Sequence, residues 1–66
     1  MESLSAKKEL LNLLNYLHSC EEAISILESY SLRTRNIDLK NSLNKIANQI
    51  QNATNLVLEL LIKFNK

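Results

Sequence analysis

The chain has 66 residues, eight basic and seven acidic, a net charge of +1, 45% hydrophobic residues, one cysteine, and neither glycine nor proline. That composition excludes a second domain, an intrachain disulfide, a collagen-like or turn-rich fold, and a disordered chain. The near-balanced charge excludes a polybasic nucleic-acid binder, and the single thiol fits a reducing compartment.

The chain begins Met1-Glu2 and runs on through polar residues, so no secretory leader is expected. From Leu10 the apolar positions fall at Leu10, Leu13, Leu17, Cys20, Ile24 and Leu27. The spacing alternates three and four, the a/d stripe of an amphipathic helix. Glu9, Tyr16, Ala23 and Tyr30 form a column beside the stripe, and Asn15, Glu22 and Ser29 form the solvated column opposite. The second half repeats the pattern at Leu39, Leu43, Ile46, Ile50, Ala53, Val57, Leu60 and Phe64, with Asn41, Asn48 and Asn55 opposite. Asparagine is a mediocre helix former, so packing must hold this second helix.

Carried forward unbroken, the first stripe would land on Ser31, Thr34, Asp38, Asn41, Lys45 and Asn48, all polar. The two stripes are therefore out of phase, and a turn between them is the simpler account. Thr34 and Asn36 can each cap the following helix, and Asp38 suits its first turn. The expected fold is all-α, an antiparallel two-helix hairpin: helix 1 at about 5–32, a turn at about 33–36, and helix 2 at about 37–64. Leu17 should then lie near Ala53, and Leu10 near Leu60.

Several side chains invite a chemical reading. His18 and Cys20 could be base and nucleophile, or half of a zinc site. Residues two apart on a helix point about 200° apart, however, and a surface histidine beside a core cysteine is the better account. Glu21, Glu22 and Glu28 lack the accompanying histidine of an inward-facing metal motif and read as a solvated edge, with Lys40 and Lys45 as ion-pair partners. Arg33 and Arg35 at the turn could grip a phosphate, but a solvated loop accounts for them. Tyr16 and Tyr30 could stack on a base, but without a basic surround they read as rim packing. No catalytic, cofactor-binding or metal site is expected. The most apolar run, Leu56–Ile62, carries Glu59 and is far short of the roughly 20 residues of a membrane span.

The apolar residues left over cluster at the open end of the hairpin: Leu11, Leu14, Leu56, Leu58, Leu61 and Ile62. One facing helix cannot cover them all. They are expected to form an interface, with two hairpins pairing as a homodimeric four-helix bundle. A different protein partner is the competing occupant.

The segment from Ala23 to Lys40 carries Ala23, Leu27, Glu28, Tyr30, Leu32, Thr34, Asn36 and Lys40 in an order that resembles a domain-of-unknown-function family of very small proteins from spore-forming bacteria. Loosely periodic leucines extend the resemblance to about residues 10–64. It implies a cytoplasmic helical protein, associated with sporulation in many cases and sometimes fused to or encoded near spore membrane proteins, with no known activity. Family members usually close on an acidic Glu-Pro-Gln-Tyr-like tail, whereas the sequence here closes on Asn65-Lys66. The expected function is a non-enzymatic structural or interaction module docking on another protein, such as a spore membrane protein. The alternative is a small helical-hairpin regulator of a sporulation kinase or phosphorelay, suggested by the Thr34-to-Asp38 spacing. A membrane-surface helix at Leu56–Phe64 would lack the dense Lys/Arg face such helices use.

Overall fold

The computed structural model describes residues 2–64, with side chains from residue 4 onward; Met1 and the Asn65-Lys66 close lie outside the described residues. Helix α1 spans Glu2–Thr34 and helix α2 spans Ile37–Phe64. They pack against each other as an antiparallel hairpin within an envelope of 50 × 15 × 12 Å. Two residues, Arg35 and Asn36, make the turn.

Those two residues close one helix and open the next. Asn36 N–H donates to Ser31 O at 3.0 Å and Arg35 N–H to Leu32 O at 3.4 Å. This pair of bonds satisfies the carbonyls at the end of α1 and requires a left-handed residue between them. Arg35 takes that conformation, with φ of 55°. Asn36 then caps α2: its Oδ1 accepts from Leu39 N–H at 3.0 Å, and its backbone carbonyl accepts from Lys40 N–H at 3.0 Å. Asp38 lies in the first turn of α2, beside the positive end of the helix dipole. Thr34 is the last residue of α1, and its hydroxyl donates to Tyr30 O at 2.9 Å. Of the two candidate caps, Asn36 therefore does the work.

The seam between the helices differs from the expected one. With Leu10 and Leu43 set as heptad position a, the columns at successive positions follow the 100° advance of an α-helix. The a column is buried or half-buried on both helices except at its open end: Leu10, Leu17, Ile24 and Ser31 on α1, and Leu43, Ile50 and Val57 on α2, with Phe64 42% exposed. Its companion is the e column: Leu14, Glu21 and Glu28 on α1, and Ala47, Thr54 and Leu61 on α2. Leu17, Val57 and Leu61 form the central cluster, with Leu10, Leu14, Ile50 and Ala53 packed against it. Leu10 and Ala53 thus both pack against the cluster that holds Leu17 and Leu61, and Leu60 lies outside it. The predicted d residues Leu13, Leu27, Ile46 and Leu60 are 42–44% exposed. Each helix is turned about 50° from the a/d orientation. The reason lies in the width of the apolar arc. It runs through d, a and e, and one neighbour can cover only the a/e side of it.

Ser31 continues the buried a column beyond Leu27, at 2% exposure. Its hydroxyl donates to Glu28 O at 2.7 Å, so this polar group is satisfied within its own helix. A small residue here lets the two helix ends approach where the chain turns.

Candidate interaction surface

Both d columns emerge on the same side of the hairpin. Viewed down one helix axis, successive residues advance clockwise on one helix and anticlockwise on its antiparallel neighbour. Columns with the same letter therefore share a side when the same columns face inward. Inter-helix contacts agree: Thr54 Oγ1 lies 3.4 Å from Glu21 Oε1, e against e, and Ser25 and Gln51, b and b, line one groove with Ile24 and Ala47.

The d side is apolar along its length. Leu13 and Leu27 on α1 stand beside Leu60 and Ile46 on α2, with Cys20 and Ala53 between them. The flanking g column is mixed: Glu9, Tyr16, Ala23 and Tyr30 on α1, and Ser42, Gln49, Leu56 and Lys63 on α2. The opposite side is polar through its middle, with His18, Ser25, Asn44 and Gln51 in the b columns and Glu22, Asn48 and Asn55 beyond. Its large apolar residues lie toward the two ends, Leu4, Leu11, Leu58 and Ile62 at the open end and Leu32 and Ile37 at the turn.

The six residues expected at the interface are thus divided among three places. Leu61 is buried and Leu14 half-buried in the hairpin's own core, both as e residues facing the other helix. Leu11, Leu58 and Ile62 are exposed on the polar-centred side, and Leu56 alone is exposed on the apolar side. Leu13, Leu27, Ile46 and Leu60, expected in the hairpin core, are exposed along the d side instead. Cys20, expected in the core, is half-buried on that surface.

The extent of uncovered surface is large for the mass. A compact protein of 7.6 kDa exposes about 4,300 Å², whereas this chain exposes 5404 Å². The excess is about 1,100 Å² per chain.

Most of the described titratable groups are exposed, and Lys7, Cys20, Glu21 and Glu28 are half-buried. His18 Nε2 lies 3.4 Å from Glu22 Oε1, one turn along the same helix, and both are largely exposed. Cys20 is on a different side of α1 from His18 and does not face it. Glu21 meets Thr54 rather than Lys40 or Lys45. The Thr54 hydroxyl has one proton, and the 2.9 Å bond to Ile50 O is its shorter option. Arg33 and Arg35 are exposed at the turn, as are Tyr16 and Tyr30 on the g column. Thr34 and Asp38 lie on opposite sides of the turn, with the Thr34 hydroxyl already committed to Tyr30 O. Among the described residues, no three His, Cys, Asp or Glu side chains lie together in a way that could hold a metal ion. No helix among them is long and apolar enough to cross a membrane.

The Ala23–Lys40 segment is therefore the closing half of α1, the turn and the opening of α2. Leu27 and Tyr30 lie on the apolar side, Glu28 flanks the seam, and Asn36 caps α2. No family model, curated protein or solved structure matches the chain.

Proposed function

We propose that the chain is a non-enzymatic interaction module that works by burying its d/g face against another helical protein surface, assembling as a homodimer and docking in that form on a further protein. The single observation that carries this is the continuous apolar face of Leu13, Leu27, Ile46 and Leu60 on one side of a hairpin whose other side is polar through its middle. A contiguous patch of that kind, rimmed by polar residues, marks an interaction site. The resemblance over residues 23–40 adds the setting: a cytoplasmic, sporulation-associated protein with a spore membrane protein as the further partner.

Photo-cross-linking in cells that make the protein tests the module. A benzophenone side chain at Leu27 is expected to give adducts of defined mass, and one at Asn48, on the polar side, is expected to give none. Equal yields from the two positions would overturn the reading.

A further inference from the structure

We infer that the occupant of the d/g face is a second copy of this chain, related by a dyad that runs along the helices. In that arrangement both turns lie at the same end, and α1 of each copy packs against α2 of the other. This rests on the interaction-module reading and specifies its partner, face and symmetry.

The register follows from the hairpin to within two or three residues. A rotation about the long axis leaves every residue at its own height, so residues level within one hairpin become opposed between two. The Glu21–Thr54 contact sets those heights. Counted from that contact, Leu13 and Leu60, Cys20 and Ala53, and Leu27 and Ile46 each fall within two residues, about 3 Å, of the same height. Across the dyad, large apolar residues meet large apolar residues in two layers. Between them lies one layer of small side chains, at the middle of the bundle, where inclined helices come closest.

The rim agrees independently. On the g columns Tyr16 comes within three residues, about 4.5 Å, of the height of Leu56 of the second copy, and Glu9 within the same offset of Lys63 of the second copy. An apolar pair and an opposite-charge pair thus fall where an interface needs them, each twice by symmetry. Within one chain Glu9 and Lys63 stand on opposite outer edges of the face and cannot meet. A transverse dyad centred on the small residues would instead oppose Leu56 to Gln49 and Glu9 to Tyr30, leaving both charges without a counterpart. All neighbouring helices are antiparallel in the chosen arrangement, so their dipoles also oppose favourably.

Sedimentation equilibrium of the purified full chain at micromolar concentration is expected to give a dimer. Leu27→Glu should raise its dissociation constant at least about tenfold, while Leu58→Glu, on the other side, should leave it within about twofold. Glu9→Lys should weaken association about threefold, and adding Lys63→Glu should restore it. Because these positions are exposed in the hairpin, helicity of the monomeric variants reports whether folding itself was lost. Spin labels at Ile37→Cys in a Cys20→Ser background should lie within about 35 Å of each other, against more than about 40 Å for turns at opposite ends. A long distance, or charge reversal at Glu9 not rescued at Lys63, would overturn the longitudinal dyad. A purified monomer would overturn the second copy as occupant; the Leu27 cross-link to another protein would then still uphold the interaction module.

Discussion

Arg35 holds a left-handed backbone in a chain that has no glycine to offer. A residue with a Cβ is strained there by roughly 1 kcal/mol, and glycine relieves that strain while adding some entropy to the unfolded chain. Arg35→Gly should therefore stabilise the fold by about 0.5–1 kcal/mol. Asn36→Ala removes the Oδ1 acceptor of Leu39 N–H and should cost about 1 kcal/mol. Urea denaturation at one fixed protein concentration measures both, and a destabilised Arg35→Gly would contradict the turn geometry. The place of the turn was legible from the phase break and from Thr34 and Asn36 as capping candidates. Which of them caps was not, because either oxygen suits the role. Only the extension of α1 through Thr34 commits its hydroxyl to Tyr30 O. The left-handed residue was illegible for a different reason: its usual marker, glycine, is missing.

The two helices separate into faces that a dilute-solution experiment can tell apart. Leu61 is 8% exposed in the seam, and its neighbour Leu60 is 42% exposed outside it. Leu61→Ala should therefore destabilise the single hairpin by about 2–3 kcal/mol. Leu60→Ala should cost less than about 1 kcal/mol under conditions where the chain is monomeric, and more as association sets in. Circular dichroism across a denaturant series at low concentration separates them, and equal losses would put the seam back on the a/d columns. Helix type, number and direction were legible because period and phase are properties of each segment alone. The seam was not, because an arc spanning d, a and e looks the same whichever side its neighbour covers. Ser31 was missed for a related reason. Counted as polar, it marked the end of the stripe, yet a hydroxyl bonded to its own helix is a small buried group.

A 66-residue hairpin also has to be judged as a whole. Its radius of gyration is 15.2 Å, against about 11 Å for a compact chain of this length. Two helices side by side enclose a single seam, and domains of this size usually need a staple or a partner to be stable. Cys20 is the only cysteine, so no disulfide closes within one chain. If the d/g face is completed by a second copy, folding and association are linked, and stability depends on protein concentration by mass action. A hundredfold rise in concentration favours the dimer by about 2.7 kcal/mol. For two chains of this length unfolding together, that is about 10 °C in Tm. Thermal melts followed by circular dichroism at 5 and 500 µM should differ by roughly that amount. Cys20 offers a second readout on the same samples. It is half-buried in the single hairpin and lies in the middle layer of the proposed bundle. Its reaction with a thiol reagent should slow as concentration rises, because only the dissociated chain presents it. A melting temperature that does not move, with a labelling rate equally indifferent to concentration, would mean that the single hairpin is stable by itself and that its apolar face remains open.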